Sequence, residues 1–441
     1  MNKFLTTLWI IIIAGSVVIG FGLLQPKKAG EIIDTTTTPT QEKTVQEQIP
    51  EISIQPEVNE NSPSSLTKLG DKYLAEHKPK DAQEAYLKAE KLDPSSTTIK
   101  LKIAQSYLDQ RNLNAAKTLI WQLNKEDPSV KYYTGIILSL FKDPEGAKKI
   151  FTEIAAKDGD PNRSNAQNFV DAFTTFSYYK EGEQIFLETL LGKAMTESEQ
   201  YEAAIPLLYD VINQKNDYRD AWIILGYAYL NTAKYQDATD ALIQALKLDN
   251  EKPETLFFLG ISYSFIKDTD KAIFYLEKAK SYGFMPKEEI DSRLGDLYIL
   301  QGEYKKSAML YEKVLASAPK NLSLYTKAIW VNIEKLNDTN KALILAKKAL
   351  QERPSEAASF NLVGWALSSK GNMEDAKAYL GKAIELNPKL DAAYLNLGQI
   401  YEKENKISLA KDYYTKAYSL GQGNSVARLA AKKYQAILKI N

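Results

Sequence analysis

From Ser64 onward the chain repeats itself, and that period constrains its fold more than any other feature. Trp222, Leu225, Gly226, Tyr229, Ala238, Leu242 and Ala245 return one period later as Leu256, Leu259, Gly260, Tyr263, Ala272, Leu276 and Ala279. The pattern recurs as Leu66, Leu69, Gly70, Tyr73, Ala82, Tyr86 and Ala89, and as Phe360, Val363, Gly364, Leu367, Ala376, Leu380 and Ala383. It returns once more from Tyr394 to Ala417. One small position can be followed through ten copies: Gly70, Ala104, Gly135, Gly192, Gly226, Gly260, Gly295, Trp330, Gly364 and Gly398. A second follows each at a constant offset: Ala82, Ala116, Ala147, Ala204, Ala238, Ala272, Ser307, Ala342, Ala376 and Ala410. Apolar residues three and four apart predict helices buried along one stripe. The small positions let two such helices cross closely, and late prolines such as Pro94, Pro128, Pro319, Pro354 and Pro388 help end the second helix. A single hairpin of this kind cannot bury its own face, so neighbours must stack.

The residues resemble the tetratricopeptide repeat, a helix–turn–helix of about 34 residues with a W-x2-L-G-x2-Y, A-x3-F, Pro pattern. The resemblance covers most of the chain. It implies an all-α, right-handed solenoid of about ten hairpins, in which first helices line a concave groove that takes peptides or partner helices.

Two departures stand out. The small positions advance by nearly equal steps except between Gly135 and Gly192, where one step holds a whole repeat and about two-thirds of another. That excess contains Phe169, Phe173, Phe176, Tyr178 and Tyr179 and predicts one unpaired helix within 162–184. It separates a first array, 63–161, from a second, 185–424. The extra helix reads as an insertion packed on a neighbour rather than a hinge. The second departure is Trp330 in a glycine position, which must widen its helix pair; Ala346 and Ala349 in the facing helix are placed to make room. Residues 425–441 predict a capping helix with Val426, Leu429, Ala430, Ile437 and Leu438 on one face and Arg428, Lys432, Lys433 and Lys439 on the other.

The amino-terminal end differs in kind. Phe4–Leu24 contains no charged residue, and as a helix it would extend roughly 31 Å, enough to cross a bilayer. The run is long for a cleaved signal and Gly20-Phe21-Gly22 is a poor cleavage site, so residues 1–28 read as a retained membrane anchor. Lys3 on one side and Lys27 with Lys28 on the other give almost no orientation bias. Residues 29–62 carry seven acids against Lys43 and read as a disordered Thr/Pro linker with a reach of roughly 30 Å.

Composition removes most catalytic classes. The chain has no Cys, one His and 56 basic against 56 acidic side chains. Thiol chemistry, Cys-ligated metals and most histidine acid–base schemes are therefore excluded, and the zero net charge argues against a general nucleic-acid binder. No P-loop, Ser-His-Asp order or H-E-x-x-H motif occurs. Gly421-Gln422-Gly423 reads as a helix-ending turn, His77 as a turn residue, and Glu288-Glu289 as adjacent rather than convergent carboxylates. Lys148-Lys149, Lys305-Lys306 and Lys347-Lys348 read as solvated faces of second helices.

The expectation is a non-catalytic scaffold, with no cofactor or metal and no nucleic-acid or small-molecule partner. On the face that the resemblance assigns to the groove, Ile223, Tyr227, Phe257 and Ile261 form an apolar patch, and Asn361 and Trp365 continue it; these are the candidate partner-binding residues. A structural spacer that self-associates, or an accessory subunit of a membrane enzyme or secretion complex, is the alternative. Of positions that could grip an acidic carboxyl tail, only Asn361, Lys193 and Lys327 fit, and they are scattered. Lysine greatly outnumbers arginine, as in an A+T-rich bacterial genome, so the anchor is expected at a bacterial inner membrane; the Thr/Pro-rich tether and the absence of Cys suit an extracytoplasmic body.

Overall fold

The computed structural model describes residues 62–179 and 183–438. These contain twenty-two α-helices and no strand. The apolar run Phe4–Leu24 and nearly all of the acidic linker lie outside the described residues. Among the described residues no helix is long and apolar enough to cross a membrane.

The chain divides into two compact units between Asp268 and Thr269. The first holds α1 (Pro63–Ala75), α2 (Pro79–Leu92), α3 (Thr97–Asp109), α4 (Leu113–Trp121), α5 (Pro128–Leu140) and α6 (Pro144–Ala156). It continues with α7 (Arg163–Ser177), α8 (Gln184–Glu197), α9 (Tyr201–Gln214), α10 (Arg219–Asn231), α11 (Tyr235–Leu248) and α12 (Pro253–Phe265). The second holds α13 (Thr269–Ser281), α14 (Lys287–Leu300), α15 (Tyr304–Ser317), α16 (Leu322–Trp330), a π-helical turn (Val331–Lys335) and α17 (Thr339–Glu352). It ends with α18 (Ala357–Lys370), α19 (Met373–Leu386), α20 (Asp391–Lys403), α21 (Ile407–Gly421) and α22 (Ser425–Leu438).

Local sequence sets the helix ends. Ser62 accepts from the Ser65 amide at 3.1 Å, with Pro63 in the first turn. Asp127 accepts from the amides of Ser129 and Val130, ahead of Pro128. Each helix pair then turns on a left-handed residue seven positions after the small one: His77, Arg111, Lys142, Glu199, Ala233, Lys267, Gly302, Asn337, Gly371 and Asn405. Next to it, the following amide donates five positions back, as from Lys78 to Tyr73 and Lys406 to Tyr401, both 2.8 Å.

The second small position is completely buried in all ten copies, from Ala82 to Ala410. The first explains why glycine dominates there. A Cβ on Gly226 would stand 2.5 Å from Leu242, and one on Gly398 2.6 Å from Tyr414. Leu242 and Tyr414 occupy the same place in their repeats, where the second helix crosses the first. At the Trp330 hairpin the sizes are exchanged, because that crossing place is taken by Ala346, fully buried. Trp330 packs half-buried on the core cluster that contains Ala346. The π-helical turn follows at once, and the closing bond runs six positions back, from the Asp338 amide to the Asn332 carbonyl at 2.8 Å.

The long step holds a single helix, α7, between α6 and α8 and packed on both. Phe169 stacks on Phe151 with ring centroids 3.9 Å apart, and Tyr132 meets both rings edge-on. Tyr178 and Tyr179 stay exposed. At the carboxyl end α22 buries Ala427, Ala430 and Ile437 against α20 and α21, while Leu438, expected on the buried face, is exposed.

Candidate functional site

In each unit the first helices of successive hairpins touch side by side: α8 with α10 and α10 with α12, then α16 with α18 and α18 with α20. The six candidate residues lie on these helices. Ile223 and Tyr227 are on α10, and Phe257 and Ile261 on α12, all buried. Tyr227 lies edge-on to Tyr201 at 6.0 Å and 5.1 Å from Phe258. Burial pushes its hydroxyl above the usual tyrosine value. Asn361 and Trp365 share α18; Asn361 is buried and accepts from the Asn396 side-chain amide at 2.9 Å, and Trp365 is half-buried.

Polar positions on first helices of both units are engaged in latches between repeats. Tyr86 on α2 donates to Asp71 on α1 at 2.7 Å, and Lys102 on α3 reaches the same oxygen at 2.6 Å. Tyr311 donates to Asp296 at 2.6 Å, and Lys327 binds both carboxylate oxygens at 2.8 Å. At the cap Tyr414 donates to Glu402, which Lys433 approaches at 3.5 Å. In all three the lysine belongs to the repeat or cap that follows the acid, so the latch joins one stacked element to the next. The sequence contained part of this signal, because the lysine follows its acid at the same offset in all three, but the acid of the third latch stands closer to its tyrosine than the other two and the period alone did not single the set out. Burial and the neighbouring carboxylates push all three tyrosine hydroxyls strongly upward.

The first unit also has a charged cluster where helices distant in sequence meet. α9 packs on α3 and α5. Glu202 of α9 pairs with Lys234 at 2.5 Å and with Arg111 at 3.5 Å, and Arg111 stands over the Tyr229 ring. Lys142 lies between Glu188 and Asp210, at 3.5 and 3.4 Å. Arg111 and Lys142 are both left-handed turn residues. Near this cluster burial, with the Glu202 charge added and Lys234 opposing, pushes the Asp109 carboxyl up to about 7.

The three candidates for a carboxyl-tail grip are each occupied within the chain: Lys193 by Glu197 at 3.2 Å, Lys327 by Asp296, and Asn361 by Asn396. His77 lies exposed in the α1–α2 turn, and Glu289 pairs with Arg293 at 2.6 Å. Among the described residues no group of acidic or histidine side chains is arranged to hold a metal ion.

Comparison with known proteins agrees with this architecture. Tetratricopeptide-repeat models match residues 67–119, 220–252, 253–282, 292–325, 357–390 and 391–421. The chain therefore carries tetratricopeptide repeats, modules that in general mediate protein–protein interaction. The inserted helix and the Trp330–Ala346 pair fall outside these matches. A TPR repeat-containing protein of Methanocaldococcus jannaschii is 25% identical over 239 residues, which are 50% of this chain and 41% of that one. A PEX5-related protein of Homo sapiens is 26% identical over 151 residues, 31% of this chain and 24% of its own. The chain thus spans less than half the length of these relatives. Among solved structures, yeast Tom70 aligns with 85% of this chain and 95% of its own at 14% identity and a TM-score of 0.34. PilW, a type IV pilus biogenesis factor, aligns with 48% of this chain and 98% of its own at 16% identity and a TM-score of 0.40.

Proposed function

We propose that this chain is a non-catalytic scaffold that binds a protein or peptide along the side-by-side first helices of its repeats, tethered to a membrane by Phe4–Leu24. The observation that carries the reading is the direct contact of successive first helices, α8 through α12 in the first unit and α16 through α20 in the second. In each unit it turns single hairpins into one extended face. Of the six candidate positions, half-buried Trp365 is the one with surface left to meet the partner, whereas Ile223, Tyr227, Phe257, Ile261 and Asn361 are buried and support the face from beneath. The uncharged run Phe4–Leu24 supports the tether, and the lysine bias and Thr/Pro-rich linker support an extracytoplasmic body in a bacterial envelope.

A photocrosslinking amino acid at Trp365, compared with one at exposed Asp412 on α21, tests the binding face in cells. A discrete protein adduct from position 365 alone is expected. Adducts from both positions alike, or none from 365, would sink the proposal. Sidedness is tested separately in this cysteine-free chain. Ser65→Cys should react with an impermeant thiol reagent on intact cells, and labelling only after lysis would place the body in the cytoplasm.

A further inference from the structure

The second helices of the second unit carry a surface that the scaffold reading does not use. Phe274 on α13, Met309 on α15 and Ile344 on α17 are large apolar side chains exposed at 51%, 71% and 62%. Each stands two positions after the fully buried small residue of its helix: Ala272, Ser307 and Ala342. Because that small residue fixes the rotation of each helix, the three project from the same face of successive repeats. Each is flanked along its helix by lysine three positions before and four positions after: Lys271 and Lys278, Lys306 and Lys313, Lys341 and Lys348.

The three helices carry nine lysines against four acids, a net of +5. Asp291 holds α13 and α15 together by accepting from Lys280 and Lys313, and Lys341 pairs with Glu312 across α15 and α17. Glu277 accepts from the Tyr298 hydroxyl. These pairs also occupy Lys313 and Lys341, and Lys306 pairs with Glu303 at 3.6 Å, so the lysines of these helices left to face an anionic surface are Lys278, Lys305, Lys347 and Lys348 above all. The pattern stops after α17: the equivalent positions are Asp375, Ala378 and Lys382 on α19, and Leu409, Asp412 and Lys416 on α21.

We infer that this row is a docking surface for an anionic lipid bilayer, with the three apolar side chains entering the headgroup–acyl boundary and the lysines meeting lipid phosphates. Charge complementarity selects an anionic partner. The protrusion of each apolar residue selects a planar one, since an acidic helix is received in a groove and these side chains stand out from their helices. Long lysine stems can lie along the apolar row while their ammoniums reach outward. The surface is independent of the first-helix face and of any amino-terminal anchor.

The absence of cysteine allows a single-site test on the full chain. Met309→Cys carrying an environment-sensitive fluorophore is compared with Asp412→Cys carrying the same label, in vesicles of phosphatidylcholine alone and with about 30% phosphatidylglycerol. A blue shift at position 309 only, only with anionic lipid, and lost near about 0.5 M salt is expected. The combined variant Lys278→Glu, Lys347→Glu and Lys348→Glu, which disturbs none of the ion pairs above, should abolish the shift while helical content stays intact. Phe274→Ser with Ile344→Ser should weaken it. No shift at 309, an equal shift at 412, an equal shift in neutral vesicles, or a response to an acidic helical peptide in place of vesicles would each overturn the inference. None of these outcomes bears on crosslinking at Trp365.

Discussion

Two glycines of the second unit show how one residue type carries opposite costs. A Cβ on Gly295 would stand 2.5 Å from the ring of fully buried Tyr311, whereas one on Gly381 meets nothing within 4 Å. Gly295→Ala is expected to destabilise by about 1–3 kcal/mol, overpacking outweighing the helix-propensity gain. Gly381→Ala should stabilise by about 0.5–1 kcal/mol. Urea midpoints of the two variants check both signs. A second residue-scale prediction concerns Asp109, held at about 7. Between about pH 4 and 7 the folded chain keeps a proton there that the unfolded chain has lost, so this contribution favours the fold at low pH and fades as pH rises through 7. Asp109→Asn should flatten that slope and raise stability at pH 8 by about 1–3 kcal/mol, read from denaturation at pH 5 and pH 8. The small positions and the turn register were legible in the sequence, because the close approach of two helices is decided by one residue's size. The environment of Asp109 was not, because Glu202 reaches it through the packing of α9 on α3 and brings with it Lys234, its ion-pair partner from the turn before α11.

Elements are joined by polar side chains as well as by apolar stripes, and Asp291 is the clearest case. It is almost completely buried at the start of α14 and accepts from Lys280 of α13 at 2.5 Å and Lys313 of α15 at 2.7 Å. Burial alone would push its carboxyl up, but the two ammoniums outweigh burial and hold it below the ordinary aspartate value. Its stabilising contribution is therefore present above pH 4 and lost as pH falls through the depressed value. Asp291→Ala leaves two lysines without their shared partner and is expected to cost about 2–4 kcal/mol at pH 7, with a much smaller penalty near pH 3. Thermal unfolding at the two pH values would show whether the difference shrinks. The helices of the repeats were readable from spacing. The π-helical turn at Val331–Lys335 was not, since apolar spacing carries no signal for a local change in the hydrogen-bond step. The burial of Ile223 and Phe257 was equally hidden, because repeat spacing says which residues share a face and not what comes to lie over it.

At the scale of the whole molecule, a stack of hairpins should unfold as a chain of nearest-neighbour contacts. The first unit departs from that rule where α9 returns to α3 and α5, with Glu202 joining Lys234 and Arg111. Glu202→Gln is expected to raise amide exchange about tenfold in α3 and α9 together, while the distant α12 changes little. Exchange confined to α9 would show that the cluster does not couple the two. The reversed pair in the second unit has a further consequence. Where hairpins each set a glycine against a large crossing residue, as at Gly295–Tyr311 and Gly364–Leu380, a helix can pair with the counterpart of its neighbour. Trp330 fits no partner that carries a tyrosine or leucine at the crossing, and Ala346 leaves a void against any glycine. That hairpin has one correct mate, itself, so it fixes the alignment of those around it much as a single odd tooth fixes the mesh of a gear. Loss or duplication of a repeat on either side would preserve the stack, whereas replacing this hairpin's second helix by a neighbour's would not.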